Sequence, residues 1–490
     1  MRKLLTYTSF ALLVFTAGCK KYLEKNPDNR ASLNSPTQVS QLLATAYPQG
    51  NYMAFCESIS DNVTDKGAGV QDKTNIDPYF FRDVTSKDQD SPENYWNACY
   101  TAIAAANQAL ATIKSVSGPD TAQYQAQKGE ALVCRAYAHF MLVTFFSKVY
   151  DPGTASTDMG IPYVTDPENV VFKKYDRKTV AYVYQMIEQD LTQGLPLIDD
   201  SKYTVPSYHF TKAAAHAFAT RFYLFKQDYA NVITHANAVF AAGNITSMLR
   251  PWNTTYLSYT PADMFANYEK ATQPANLLLV ETGSVWARNY YTVRYGLNST
   301  IRDEIIGDNV TTGDWAFRYQ IYTAGTNNYL IPKINEYFVR SSVNANIGFP
   351  YVMVPLFTTE EVLFNRAEAY IYQNNLTSAI ADLNTYASTR IIDPNTRQYD
   401  PVKHIITTAK LNSFYSTTNT KGAALEAVID FKRAEYVQEG MRWFDLLRYN
   451  IGVTHTTTDG QVLSLPASSP QRVFQLPESV STSGMPLNPR

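Results

Sequence analysis

The sequence predicts a mainly α-helical protein: about four helix–turn–helix units, dispersed along 490 residues, with one long irregular insertion between them. Three observations carry this. Apolar residues recur at steps of three and four in most of 93–243 and 358–449. Two segments 147 residues apart resemble each other, RFYLFKQDYANVITHAN from Arg221 and EAYIYQNNLTSAIADLN from Glu368. Tyr223 matches Tyr370, Ile233 matches Ile380, and a short polar turn falls at the same place in each, at the size of a tetratricopeptide unit. Between 245 and 357 the helical period is lost except near Thr300–Ile306.

In chain order, Arg2 and Lys3 precede an apolar run, Leu4 to Phe15, and then Thr16-Ala17-Gly18-Cys19. A basic start, a short apolar centre and small residues at the cut make a secretory signal over 1–18, too short to span a bilayer. Residues 19–37, with Pro27 and Pro36, read as a tether. A first helix follows around Gln38–Ala46. The stretch 58–92 is rich in Asp, Gly, Asn and Pro and is expected to be mostly loop. Its Asp61, Asp65, Asp72 and Asp77 lack calcium-loop spacing, and whether calcium binds there stays open. Helices are expected over Glu93–Ser115 and Ala122–Val149 as one hairpin, over Thr179–Leu195, and over Thr211–Phe225 with Thr211 as its cap. The partner of the last begins at Asp228 and ends near Gly243.

The scaffold region 38–244 gives way to the insertion, 245–357, where Asn, Thr, Tyr, Gly and Pro are frequent and short extended runs occur at Leu277–Glu281 and Tyr351–Leu356. Aromatics gather in it, and a long irregular segment on a helical scaffold is where binding residues are sought. The closing region is 358–490, and its tail after Gly452 reads as loop.

Composition narrows the function. Lys plus Arg is 42 and Asp plus Glu is 44, so no charge excess favours nucleic acid. Tyrosine is abundant, 36 against 24 Phe and 5 Trp, and its flat ring with a polar tip suits wet binding surfaces as well as helix contacts. Cys19, Cys56, Cys99 and Cys134 form no C-x-x-C pair and no zinc spacing with His. A disulfide among the last three stays open. No phosphate loop, dinucleotide fingerprint, nucleophile elbow or zinc-protease motif occurs, so no cofactor, metal or catalytic residue is assigned.

The stretch Leu425–Tyr449 is the densest in charge and aromatics. Glu435 and Glu439, four apart, are expected on one helix face, followed by Arg442, Asp445 and Arg448 at three-residue steps. They read either as an acid–base pair or as a structural charge network. Carboxylates on adjacent turns cannot easily flank a scissile bond, which favours the network, paired within the stretch.

Four segments, in order, resemble one family. They are the lipobox-like Ala17-Gly18-Cys19 with Tyr22-Leu23-Glu24 and Asn26-Pro27; Gly129–Tyr150 with Gly160-Ile161-Pro162; Thr358–Arg390; and Glu-Gly-x-Arg-Trp-Phe-Asp-Leu-x-Arg at Glu439–Arg448. The sequence resembles the SusD/RagB family of nutrient-binding outer-membrane lipoproteins of Bacteroidetes. The resemblance implies a right-handed superhelix of about four TPR-like pairs with a loop-rich, ligand-facing insertion. It implies lipidation of Cys19, anchoring at the cell surface in the outer membrane, and a SusC-like TonB-dependent transporter as partner. Thr16 and the basic Lys20-Lys21 depart from the usual pattern around the anchor. The implied activity is capture of an oligosaccharide, or of a peptide in RagB-like members, without catalysis; a glycan hydrolase is the remaining alternative. Candidate ligand residues are Arg82, Trp96 and Asn97, at the place where starch-binding members carry a Trp, and the insertion aromatics Trp252, Trp286, Tyr290, Tyr291 and Trp315.

Overall fold

A computed structural model describes residues 33–116, 118–168, 174–325 and 327–490. The signal segment, Cys19 and most of the tether lie outside the described residues. None of the described helices is long and apolar enough to cross a membrane.

The scaffold is a TPR-like superhelix in which each helix packs on the next. Pro92–Ser115 packs on Gln125–Phe146, which packs on Val180–Gly194; Lys212–Lys226 pairs with Tyr229–Val239. Tyr229–Val239 then packs on Thr359–Tyr372, which pairs with Leu376–Ala387 and touches Thr420–Glu435. Thr211 caps its helix, accepting from Ala214 N–H. The self-similarity is a shared turn. Gln227 and Asn374 adopt φ of +63° and +60°. Asp228 N–H and Asn375 N–H then donate back to the carbonyls of Tyr223 and Tyr370. Asp228 and Asn375 next cap the following helices.

The insertion leaves this stack after Val239 and returns through a three-stranded antiparallel sheet. Its strands Asn276–Gly283, Gly348–Thr358 and Glu336–Arg340 lie in that spatial order. Gly348–Thr358 runs straight into the Thr359–Tyr372 helix, whose cap is Thr358. A second tie pairs Asp314–Trp315 with Ile391–Ile392. One apolar core runs unbroken through scaffold and insertion.

Buried ion pairs lock the layers. Arg135 meets Asp190 at 2.7 Å, Arg221 meets Glu361 at 2.6 Å and Arg366 meets Asp382 at 2.7 Å. Glu360 lies between Arg250 and Arg390, at 3.0 and 2.7 Å, and Arg390 reaches on to Glu435 at 3.0 Å, all four side chains fully buried.

The segment 58–92 is mostly loop, with one short helix, Lys73–Tyr79, capped by Asp72 and tolerating Pro78 near its end. Two local expectations are corrected. The tail carries a hairpin, Val453–Thr456 with Val462–Leu465, whose alternation of buried and exposed residues is too short to stand out among its Thr residues. The closing helix is broken. Thr420–Glu435 stops, Gln438 and Gly440 turn through φ of +70° and +74°, and a new helix runs Arg442–Arg448. Glu435 and Glu439 therefore do not share a helix face.

Candidate functional site

One concave surface lies where the insertion meets the closing helices. A pocket of about 250 Å³ opens between the Ser299–Ile306 helix with its following loop, the end of Thr408–Phe414, and Thr420–Glu435. Each wall has a local cause. Asn298 starts the first helix by accepting from Ile301 N–H. Asn309 folds the loop behind it, accepting from Thr311 N–H at 3.0 Å and donating to the Gly313 carbonyl at 2.8 Å. That turn delivers Trp315 to the pocket floor, stacked on Phe317 at 5.4 Å and edge-on to Phe431 at 5.2 Å. Phe414 and Tyr415 stand at a helix end, their rings perpendicular at 4.9 Å, with Phe414 40% exposed.

The polar lining is mostly acidic. Tyr415 donates its hydroxyl to Asp430 at 2.7 Å. Arg433 spans the pocket base, donating to Glu304 at 2.6 Å, to Asn62 at 2.9 Å and to the Asp61 carbonyl at 2.9 Å. Asp308, exposed on the rim, has no partner among the described residues. Asp430 as a residue is open to solvent, yet the surrounding walls desolvate its carboxyl and raise its pKa against the pull of Tyr415, Arg442 and Arg433. Burial, and then the charge on Asp430, raise the Tyr415 hydroxyl. Aromatic edges and faces beside carboxylate acceptors and a guanidinium donor can hold a ring that is apolar on its faces and hydroxylated at its rim.

Most of the aromatics expected at a site are elsewhere. Trp96, Trp252, Trp286 and Tyr290 are all under 5% exposed, and each is consumed by packing. Trp96 lies against Tyr100 and Phe146, both at 4.9 Å. Trp252 packs edge-on against Phe317 at 4.6 Å. The Trp286 indole donates to the Gln438 carbonyl at 3.1 Å, and the Tyr290 hydroxyl to the Ile331 carbonyl at 3.0 Å. All four are core: Trp96 sits between scaffold helices, and Trp252, Trp286 and Tyr290 are the rings the insertion buries in folding onto itself and the scaffold. Trp315 is also buried but lines the pocket. Arg82 is exposed, over Phe80 at 4.8 Å and 3.8 Å from Asp77. Asn97 is exposed on the outer face of its helix, apart from Arg82. Tyr291 is half-buried on a separate patch, where Lys66 donates to the Tyr291 carbonyl at 3.0 Å and to Asn328 at 2.7 Å.

Pocket residues missed by sequence reading are Glu304, Asp308, Phe414, Tyr415, Asp430 and Arg433. Adjacent Phe414-Tyr415 before the polar run Ser416–Thr420 was the available signal, but it lies outside the insertion.

The expected charge network exists, with different partners. Glu435 pairs with Arg390, Glu439 with Lys333 at 2.8 Å, and Arg442 with Asp61 at 2.8 Å. Arg448 holds Glu368 at 2.7 Å. Only Asp445 and Arg448, at 2.8 Å, pair within the five, and Lys432 joins them at 2.7 Å. The network faces outward from its own stretch and ties it to the rest of the fold. The Asp residues of 58–77 are engaged in the same way: Asp61 by Arg442, Asp65 by Arg294 at 2.7 Å and Asp72 by its cap. Cys56, Cys99 and Cys134 are buried free thiols.

A TPR-like superhelix interrupted by an aromatic-rich insertion, with its open pocket at their seam, defines a class of helical binding scaffold. Residues 21–224 match the family model described as SusD-like, starch-binding and associating with the outer membrane. No curated protein matches the chain. Among solved structures, a SusD superfamily protein from Bacteroides thetaiotaomicron is 17% identical, with a TM-score of 0.68, over 93% of this chain and 100% of its own. A putative sugar binding protein from Bacteroides vulgatus is 19% identical, with a TM-score of 0.70, over 94% and 99%. A laminarin binding SusD-like protein is 16% identical, with a TM-score of 0.61, over 92% and 99%. The sequence of residues 21–224 is similar to the SusD-like family, and the whole chain shares the fold of these solved structures.

Proposed function

We propose that this protein captures a nutrient oligosaccharide at the cell surface without cleaving it, and delivers it to a SusC-like TonB-dependent transporter. It is held in the outer membrane by a lipid on Cys19. The observation that carries the reading is the pocket bounded by Trp315, Phe414 and Tyr415 and lined by Glu304, Asp308, Asp430 and Arg433, on a SusD-like fold. Sugar rings lie against aromatic planes while their hydroxyls bond carboxylates and guanidinium.

The test is calorimetric titration of a neutral oligosaccharide panel against the chain lacking residues 1–19. Binding of one glycan class, weakened at least tenfold by Phe414→Ala or Tyr415→Ala, is expected, on the order of 1.4 kcal/mol for one lost ring contact. Unchanged affinity in both variants refutes the pocket, and shortened products in the titration cell refute capture without cleavage. Three carboxylates against one arginine favour a second reading, a basic peptide, and a peptide panel in the same titration separates the two.

A further inference from the structure

The insertion's three-stranded sheet ends on an open edge. Its strands lie in the order Asn276–Gly283, Gly348–Thr358, Glu336–Arg340, and among the described residues no strand pairs with the outer side of Glu336–Arg340. The register of this edge strand is unbroken, from Glu336 opposite Val352 to Arg340 opposite Gly348. Pro350 lies opposite Phe338 and has no N–H, and its carbonyl accepts from Ser284 N–H at 3.1 Å on the far side. Phe338 therefore keeps its own N–H and C=O for the edge. Alternation along an antiparallel ladder places those of Glu336 and Arg340 there too.

Proteins close such edges with Pro, Lys or a bulge. Glu336–Arg340 has none of the three. It shows apolar side chains instead: Phe338 and Val339 are each 47% exposed, and Phe349 on the neighbouring strand is 60% exposed. Arg340 is exposed and has no charged partner among the described residues.

The strand reads Glu-Tyr-Phe-Val-Arg, an order that is complementary to itself. Two copies laid antiparallel about Phe338 set each Glu336 opposite the other's Arg340, and Tyr337 opposite Val339. The residues whose backbone groups face outward then face one another and exchange both hydrogen bonds of each pair. Phe338 meets its own copy at the centre, an aromatic cross-strand pair. Parallel copies in register would set Glu336 against Glu336 and Arg340 against Arg340, which charge opposes. Glu336 already accepts from Arg288 through both oxygens. A carboxylate has acceptor positions beyond those two, so it can serve a second guanidinium. We propose that Glu336–Arg340 is a self-association edge, pairing antiparallel with the same strand of a second copy about a two-fold axis at Phe338.

Light scattering on the full mature chain in detergent, across a concentration series, tests this. The protein mass should rise from one chain to two. Glu336→Arg and Arg340→Glu each set like charges across the axis, and each variant alone should associate at least tenfold more weakly. An equal mixture of the two should recover the pair, because one chain then carries Arg at both positions and the other Glu at both. On oxidation, Phe338→Cys should give a reducible cross-linked pair, since Cα atoms about 5.5 Å apart suit a disulfide. Val343→Cys, at a position 91% exposed but far out of register with its own copy, should not. A single-chain mass up to about 100 µM leaves the edge to another protein's strand and overturns self-pairing. Association unmoved by either charge variant, or not recovered in the mixture, overturns it as well. Should a charge variant lose its helical circular dichroism, the cysteines decide: cross-linking as fast at 343 as at 338 overturns the register. Glycan binding in the pocket is unaffected in every outcome, because none of these residues lines it.

Discussion

Removing the Glu439 carboxylate probes the buried network most directly. Glu439 is 4% exposed and accepts from Lys333 Nζ at 2.8 Å and from the Tyr268 hydroxyl at 3.1 Å. Lys333 is 2% exposed, and its other close partner is the uncharged Glu435 carbonyl. Glu439→Ala leaves the ammonium buried with one hydrogen-bonded carbonyl, the Tyr268 ring at 5.8 Å and only the more distant charges of Glu435 and Glu57. Breaking one side of a buried pair costs about 3–5 kcal/mol. An unfolding entropy of about 2.1 cal/mol/K per residue makes 1 kcal/mol worth about 1 °C in a chain this long, so Tm should fall by about 3–5 °C in differential scanning calorimetry. Pairing Lys333→Met with Glu439→Gln removes the charge but keeps an acceptor for Tyr268, and should recover at least half of that loss. A Tm drop under about 1 °C for Glu439→Ala, or a double variant no better than the single, would refute the reasoning.

Three further outcomes are expected. Burial pushes the Asp90 and Glu57 carboxyls up to about 7, against the hydrogen bonds each accepts. The folded state then holds protons that the unfolded state has released, so each contribution is present below the ordinary carboxylate range and lost as pH rises to about 7, on the order of 3 kcal/mol for each. Asp90 accepts from Ser284 and from Val285 N–H. Asp90→Asn keeps that shape without the charge, so wild-type stability relative to this variant should fall between pH 4 and pH 7; a pH-independent difference in Tm argues against it. Gly440→Ala combines φ of +74° with a Cβ 2.9 Å from Met53 Cα, and chemical denaturation should show a loss of at least about 2 kcal/mol. Burial raises the thiols of Cys56, Cys99 and Cys134. Ellman's reagent should therefore find them unreactive in the native chain and reactive in denaturant; fast native labelling would contradict their burial.

The helical scaffold was legible because its signal is local. Periodicity placed the long helices within a few residues, and the repeat between Tyr223 and Tyr370 marked a turn whose backbone bonds recur. The network was legible as charge but not as pairing. Arg390–Glu435, Lys333–Glu439 and Arg442–Asp61 join residues 45, 106 and 381 positions apart, and no spacing rule on one helix reaches them. The break at Gln438–Gly440 was hidden by an amphipathic pattern that continues across it.

The insertion's aromatic residues are mostly buried for a physical reason. Aromatic density was taken as a sign of ligand contact, but an insertion that shares one continuous core with its scaffold must bury rings to dock. Trp286 on the Gln438 carbonyl and Trp315 against Phe431 are those docking contacts, and Trp252 against Phe317 packs the insertion on itself. Rings are left for solvent at a helix end, Phe414-Tyr415, and on adjacent strands of the insertion's sheet, at Phe338 and Phe349. Substituting Trp252 or Trp286 would remove core volume, at about 3–5 kcal/mol for each Trp→Ala, without touching the pocket that Trp315 lines.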